Sequence, residues 1–303
     1  MSLKTENKPF VQFILILSLC LVSVIVFSLV GTLLATTIYG FELTEVGNIN
    51  DPNLIEGMKM IQLFSAIGLF VVPPLIYGVL LSKQPFQKLG LIAPKKPINY
   101  LLVLTLMIVL TPFLSWIIEW NATMVLPNFM SEIEHWMRAS EQRAERLIKA
   151  MLTFNGVGSL VYVLIIVAIV PAIGEELLFR AVLQKIFINW TKNAHIGIWI
   201  SAILFSAIHL QFFGFFPRLL LGLLLGYIFY WTNSLWLPIW GHFINNSAVV
   251  ISVYLYPETL NQTGIPFGEE STNLLYALVS LVVSAIVVYF IWKPSRLNTS
   301  VLE

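Results

Sequence analysis

Three short polar patterns interrupt the most apolar part of this chain, and they contain the residue types that carry out hydrolysis. In chain order they are Glu175-Glu176-x-x-x-Arg180, Phe205-x-x-x-His209 and His242-x-x-x-Asn246. A charged side chain near the centre of a bilayer is energetically costly, so such residues usually line a cavity and have a function there. Carboxylates, imidazoles and an amide together could activate a water molecule and stabilise a negatively charged oxygen.

The first pattern separates its two glutamates by role. On an α-helix Glu176 and Arg180 share a face, in the order that favours an ion pair. Glu175 points about 100° away around the helix, so it is predicted to lack a local partner and to act as a general base. Pro171 and Gly174 predict a kinked or loosened helix just before it. Taken alone, this pattern could equally be a salt-bridge cluster at a helix end.

The other two patterns place histidines in apolar segments. Phe205 and His209 are four residues apart, so they are predicted to share one helix face. The same spacing separates His242 from Asn246. A single histidine in an apolar helix is usually a packing residue, whereas two of the chain's four histidines in such positions favour chemistry. His242 and Asn246 could donate to a polarised carbonyl oxygen, and His209 could share a water molecule with Glu175.

The composition places these patterns in a membrane protein. Of the 303 residues, 58% are hydrophobic and only 11% are charged, against about 25% charged residues in soluble domains. The mean hydropathy is +0.85. A net charge of +1 argues against a strongly basic nucleic-acid surface, so no nucleic-acid partner is expected. The chain is therefore predicted to be a single membrane domain, residues 1–303, in contact with membrane lipid.

The apolar segments predict an all-α fold, a polytopic transmembrane helical bundle. A span needs about 20 apolar residues, and eight segments are candidates: 10–38, 59–82, 99–120, 158–183, 196–211, 217–233, 236–256 and 273–292. Residues 128–153 instead have an apolar stripe at helical spacing beside several charged residues. They predict one amphipathic helix that lies on the membrane interface or packs over the bundle.

The placement of basic residues predicts the orientation of the bundle. With eight spans, both termini and alternate loops face the same side. That side would carry ten of the 17 basic residues: Lys4, Lys8, Lys83, Lys88, Lys95, Lys96, Lys185, Lys192, Lys293 and Arg296. The chain is therefore predicted to be a multi-pass protein of the cell membrane with both termini in the cytoplasm.

Together the three patterns resemble the CAAX-protease and bacteriocin-processing family of membrane proteins, which includes the type II CAAX prenyl endopeptidases. The family signature has two adjacent glutamates and an arginine, then Phe-x-x-x-His, then His-x-x-x-Asn, on successive helices. All seven positions of this chain fit in that order. The resemblance covers residues 158–250, which are predicted to form the catalytic core, and the first three spans carry no motif.

The resemblance implies an intramembrane endopeptidase that acts on a membrane-associated peptide or protein, lipidated or not. It implies that Glu175 and His209 activate water, and that His242 and Asn246 stabilise the oxyanion. The remaining motif residues are then supporting residues: Glu176, Arg180 and Phe205.

A zinc-dependent version of the protease is an alternative. Glu175, His209 and His242 would supply the two histidines and one glutamate that catalytic zinc uses. However, the chain has no His-Glu-x-x-His helix, and assigning both His242 and Asn246 to the oxyanion leaves too few ligands. A metal-free mechanism without a cofactor is therefore preferred.

Two non-enzymatic functions also fit parts of the pattern. The same scaffold could be a membrane regulator or immunity protein that binds a peptide without cutting it, although the complete set of motif residues favours a protease. A proton-coupled transporter could also use an intramembrane glutamate and histidine. It is less favoured because the polar residues cluster in one half of the chain and no inverted repeat is visible.

Overall fold

The computed structural model describes residues 8–40, 51–258 and 273–293, and in these ranges the chain is helical with no β-strand. Short turns of helix lie at Pro85–Lys88, Asn128–Met130 and Phe212–Gly214. The main helices are α1 (Pro9–Tyr39), α2 (Pro52–Leu81), α3 (Ile98–Ala122), α4 (Ser131–Met151), α5 (Val157–Thr191), α6 (Ala194–Ala207), α7 (Phe215–Thr232), α8 (Trp236–Leu255) and α9 (Leu274–Trp292). The predicted polytopic helical bundle is confirmed.

Every predicted span corresponds to a helix, but the helices differ in how well they suit a bilayer. Among the described residues, six helices are long and apolar enough to cross a membrane, and α6 and α8 are not among them. Helix α6 has only 14 residues, a rise of about 21 Å. Helix α8 has 20 residues, but His242, Asn245 and Asn246 lower its hydropathy. The two helices that fall short of the length or hydropathy of a membrane span are therefore the two on which the histidine motifs begin.

Helix α5 is the element that carries both glutamates, and it is not a regular α-helix. It contains two π-helical segments, Leu164–Ile169 and Leu177–Gln184, on either side of a short α-helical stretch that ends at Glu176. The predicted loosening near Pro171 and Gly174 is therefore present, as a change between π-helical and α-helical hydrogen bonding, and the helix is not broken. Segments of π-helix are frequent at functional sites because they turn side chains away from their regular positions.

Helix α5 lies at the centre of the core and packs against α2, α6, α7 and α8. The largest apolar cluster joins α5 to α1 and α2, with Ile16, Tyr77 and Phe179 among its buried members. Gly222 and Gly226 on α7 allow a close approach to the helices beside it: a Cβ at Gly222 would lie 3.2 Å from Phe205, and one at Gly226 would lie 2.9 Å from Gln184. The Gly-x-x-x-Gly spacing is thus used for close packing.

The predicted amphipathic helix is α4, and it packs over the turn between α6 and α7. The Trp136 ring lies 5.1 Å from that of Phe212, and the Arg138 guanidinium lies 4.7 Å from the ring of Phe213. At its far end, the linker that follows α4 is fixed to α2 because the buried Lys59 donates to the main-chain oxygen of Thr153 at 3.2 Å.

The orientation of the bundle remains a prediction. Lys4 and Arg296, which contribute to the argument from basic residues, lie outside the described residues. Both the eight predicted spans and the six long apolar helices are even numbers, so either count places the ends of α1 and α9 on one side of the membrane.

Gly174 gives a direct test of how closely α5 packs beside the glutamates. A Cβ at this position would lie 2.7 Å from Phe70 Cβ and 3.0 Å from Val71 Cγ2, both on α2. We expect Gly174→Ala to lower stability by about 1–3 kcal/mol, because overpacking a tight helix contact forces the helices apart. Gly158→Ala on the same helix is the matched control, since nothing lies within 4 Å of its new Cβ. Thermal unfolding of the two purified variants should therefore differ, and equal melting temperatures would contradict the close packing.

Candidate active site

The ion pair predicted from the first pattern is present and deeply buried. Arg180 Nε lies 3.0 Å from Glu176 Oε2, and the two residues are only 1% and 0% exposed. Arg180 Nη2 also donates to the main-chain oxygen of Gly222 at 3.5 Å. A charge this far from water must be paired to be tolerated, so Glu176 and Arg180 form a fixed polar centre inside the bundle.

His242 joins the two glutamates, a contact that the sequence did not predict. Its Nδ1 lies 2.9 Å from Glu176 Oε1, and its Nε2 lies 3.8 Å from Glu175 Oε2. Because ionised Glu176 can only accept, the proton of the neutral ring is on Nδ1. The Nε2 atom then faces Glu175, across a gap too long for a direct hydrogen bond.

Glu175 differs from its neighbour in having no arginine beside it: Glu176 Oε2 also lacks a hydrogen bond but lies 3.0 Å from Arg180 Nε. Glu175 is 9% exposed, and its buried Oε2 atom has no hydrogen-bond partner among the described residues. A buried acceptor without a partner is costly, and here it lies beside His242 of the third motif rather than beside a cation. The rotational argument from the sequence, which left Glu175 without a local partner, therefore agrees with this geometry.

Phe205 is the common neighbour of the other motif side chains. Its ring lies 5.2 Å from that of His209 and 6.0 Å from that of His242. The Arg180 guanidinium lies 4.3 Å from the same ring, within the range of a cation–π contact. A large rigid ring at this point separates the two histidines and holds Arg180 against Glu176.

His209 lies in a turn rather than on a helix. The apolar run continues to Leu210, but α6 ends at Ala207 and Leu210 has a φ of +52°, which reverses the chain. The ring still contacts Phe205 because Nδ1 bonds to the main-chain oxygen of Phe205 at 2.8 Å and so caps the end of α6. A carbonyl oxygen only accepts, so Nδ1 carries the proton of the neutral ring and Nε2 keeps its lone pair.

Asn246 is held by main-chain and side-chain partners. Its Nδ2 donates to the main-chain oxygen of Val167 at 3.1 Å, and its Oδ1 accepts from Asn245 Nδ2 at 3.1 Å. Val167 lies in the π-helical segment just before Pro171, where the helical hydrogen-bond pattern changes, and Asn246 supplies a side-chain donor to its oxygen. One of the two N–H groups of the amide is left for another acceptor.

The three residues of the zinc alternative do not assemble into a metal site. Within residues 8–40, 51–258 and 273–293, no group of three or more histidine, cysteine, aspartate or glutamate side chains is placed to hold a metal ion. Glu175 and His242 face each other, whereas the Nδ1 atom of His209 caps a helix end and its Nε2 atom keeps a lone pair. The zinc-dependent alternative therefore stays a prediction.

Sequence reasoning missed the residues that support the site from outside the motifs. Gln184 is 1% exposed and donates to the main-chain oxygen of Gly226 at 3.1 Å. A signal was available, because Glu176, Arg180 and Gln184 follow one another at four-residue spacing. Asn121, which bonds to the backbone of Phe212 and Phe216, had no such signal, because these partners lie about 90 residues away in the chain.

An apolar cavity of about 200 Å³ lies next to the polar centre. It is formed by α3, α5 and α8, and its wall includes Ala172, three residues before Glu175, and Ile239, three residues before His242. The indole N–H of Trp240 already donates to the main-chain oxygen of Tyr100 at 3.2 Å. The wall consists of apolar and aromatic side chains: Tyr100, Ile169, Ala172, Ile173, Trp236, Ile239, Trp240 and Phe243.

On the amphipathic helix α4, the carboxylate of Glu141 faces the turn between α6 and α7, which contains His209. Glu141 Oε2 accepts from the main-chain N–H of Phe213 at 3.4 Å. Burial raises the pKa of Glu141, and the bond from Phe213 and the charge of Arg218 oppose this shift.

Comparison with known proteins identifies the segment that holds this site. Residues 157–248 match the family model described as type II CAAX prenyl endopeptidase Rce1-like. The resemblance predicted from the motifs is confirmed. All seven motif residues lie inside the Rce1-like segment. The chain is also 33% identical over 94 residues to the uncharacterised protein YpbD of Bacillus subtilis strain 168, an alignment that covers 30% of this chain and 45% of that protein. No solved structure matches.

Proposed function

We propose that this protein is an intramembrane endopeptidase that hydrolyses a peptide bond with water activated by Glu175. The observation that carries the proposal is the buried, unpartnered Oε2 of Glu175, 3.8 Å from Nε2 of His242, within a segment that matches a family of endopeptidases. A carboxylate in this setting is suited to take a proton from water during attack on a carbonyl.

In the proposed first step, Glu175 takes one proton from a water molecule while the water oxygen bonds to the substrate carbonyl carbon. The Nε2 lone pair of His209 accepts a hydrogen bond from the same water and orients it. The carbonyl π electrons move to its oxygen. In this scheme His242 takes a second proton from solvent at Nε2 before the step, donates from Nε2 to the oxyanion and keeps that proton afterwards, and the other N–H of Asn246 is the second donor.

In the second step the intermediate collapses and the bond between the carbonyl carbon and nitrogen breaks. The leaving nitrogen takes the proton that Glu175 carries, which restores the carboxylate. Glu176 holds Nδ1 of His242 throughout, so that Nε2 stays directed at the reacting oxygen. Arg180 fixes Glu176 in turn, and neither residue exchanges a proton with the substrate.

The apolar cavity beside Glu175 is proposed to receive one hydrophobic side chain of the substrate. An apolar cavity of about 150 Å³ in another protein binds a benzene molecule. A volume of about 200 Å³ therefore accommodates one aromatic or branched aliphatic side chain. The wall is made almost entirely of apolar atoms, so polar side chains would enter at a cost.

A cleavage assay tests the proposed function. Purified protein in detergent or in lipid vesicles should cleave peptides that differ at one position between phenylalanine, leucine, serine and aspartate, with the apolar pair preferred. Peptides with and without a lipid on a cysteine would show whether lipidation is required. Binding without any cleavage would instead support a membrane regulator or immunity protein on the same scaffold.

Activity is expected to survive exhaustive removal of metal ions. The proposed steps use only side-chain protons and hydrogen bonds. Cleavage rates should therefore be the same before and after dialysis against a chelator, with metal analysis confirming removal. Loss of activity that zinc alone restores would favour the zinc-dependent alternative.

A further inference from the structure

Arg218 lies near the start of α7, outside the three motifs, and it binds both parts of one residue in the turn that contains His209. Its Nη1 donates to Gln211 Oε1 at 2.6 Å, and its Nη2 donates to the main-chain oxygen of Gln211. Gln211 is two residues after His209. The guanidinium therefore fixes the side chain and the backbone of Gln211 at once, a use of paired donors that lysine cannot reproduce.

The turn needs such a restraint at this point. Leu210 adopts a φ of +52°, which is unfavourable for a residue with a branched side chain. Other polar bonds hold the later part of the connection: Asn121 bonds to the backbone of Phe212 and Phe216, and Ser206 donates to the main-chain oxygen of Phe215 at 2.6 Å. In the described structure, the side-chain bonds that reach residues 210–211 come from Arg218.

The electrostatic environment of Arg218 differs from that of a simple interfacial anchor. Its two bonded acceptors are neutral, and no carboxylate lies within 4 Å of it in the described ion pairs. Glu141 and Glu175 act on its charge from a longer distance. Its Nε atom is buried without a hydrogen-bond partner among the described residues. An arginine that only anchored a helix at the interface would keep its donors in water.

Gly214 supports this arrangement of the guanidinium. A Cβ at Gly214 would lie 2.8 Å from Nη2 and 3.0 Å from Cζ of Arg218. The guanidinium therefore occupies the space that any other residue at position 214 would fill. The turn and the arginine are fitted to each other on both sides, at Gln211 and at Gly214.

We propose that Arg218 is a positioning residue: by binding Gln211 it holds the turn that presents His209 to the water activated by Glu175. The inference rests on the proposed function of His209. Arg218 itself touches no reacting atom in this scheme, and its effect reaches the substrate only through the placement of His209.

Hydrogen–deuterium exchange and kinetics on the full chain in lipid vesicles test the proposal together. Amides of residues 208–214 should exchange about 10–100-fold faster in Arg218→Gln, the range expected when charge-assisted hydrogen bonds are lost. Gln211→Ala keeps the bond to the main-chain oxygen and should show a smaller increase. Arg146→Gln, a change at an exposed arginine of α4, is the matched control and should leave these amides unchanged.

The kinetic readout separates positioning from general destabilisation. Arg218→Gln should lower kcat by about 10-fold or more with little change in KM, since only the placement of a group acting in the transition state is altered. Arg218→Lys should restore part of kcat because it keeps one donor. Unchanged exchange in Arg218→Gln, or faster exchange with wild-type kcat, overturns the proposal. If Glu175→Gln is fully active, the proposed function fails, and the exchange data still decide whether Arg218 holds the turn.

Discussion

Glu175→Gln is expected to lower kcat for peptide cleavage by about 10²–10⁴-fold, the usual contribution of a positioned general base. Glutamine keeps the shape of the side chain and an acceptor oxygen, but it cannot take a proton from water. The buried Oε2 atom has no partner in the described structure, so replacing it breaks no hydrogen bond. The variant should therefore fold and unfold like the wild-type protein.

The kinetic measurement needs two accompanying observations. The KM should change little, because Glu175 acts on the water rather than on the binding of the peptide. Glu132→Gln, at an exposed carboxylate of α4, serves as the control for the loss of one negative charge. If Glu175→Gln retained normal kcat while Glu176→Gln alone were inactive, the two glutamates would have the reverse of the roles proposed here.

Local spacing predicted the contacts between residues close in sequence. The Glu176–Arg180 pair on α5 is present at 3.0 Å. The Phe205–His209 contact is present at 5.2 Å between rings, although His209 lies in the turn after α6 and not on the helix as predicted. Composition and hydropathy likewise predicted a helical membrane bundle, because the lengths of apolar segments reflect the thickness of the bilayer. These predictions needed no knowledge of how the helices pack.

The contacts that join different helices could not be read from the sequence. His242 and Glu176 are 66 residues apart, and their 2.9 Å bond depends on how α8 packs against α5. The two π-helical segments of α5 also leave no periodic signature, since they shift the register by one residue within an apolar run. The end of α6 at Ala207 could not be predicted either, because Ile208 and Leu210 continue the apolar pattern beyond the helix.

Asn246 on helix α8 has a structural hydrogen bond as well as a predicted role in catalysis. Asn246 donates to the carbonyl of Val167, in the π-helical segment that precedes Pro171. The predicted oxyanion role of Asn246 and this structural role use different N–H groups of one amide. A variant at Asn246 therefore changes both, which makes Glu175 and Glu176 the clearer positions for separating catalysis from stability.

Glu176→Gln is expected to reduce stability rather than chemistry alone. The change leaves Arg180 buried at 1% exposure without its counter-charge, and breaking a buried pair in this way costs about 3–5 kcal/mol. Thermal unfolding in detergent should therefore show a much lower melting temperature for Glu176→Gln than for Glu175→Gln. Equal melting temperatures would show that the pair is better solvated than its burial implies.

A double variant separates the ion pair from the bond to His242. Glu176→Leu with Arg180→Leu removes both charges, and replacing a buried pair by apolar residues is often neutral or stabilising. The double variant should regain most of the stability lost in Glu176→Gln. It still leaves Nδ1 of His242 without the acceptor now found at 2.9 Å, a loss of about 1–3 kcal/mol. A stable but inactive double variant is thus the expected result, because His242 would lose the partner that directs Nε2 towards Glu175.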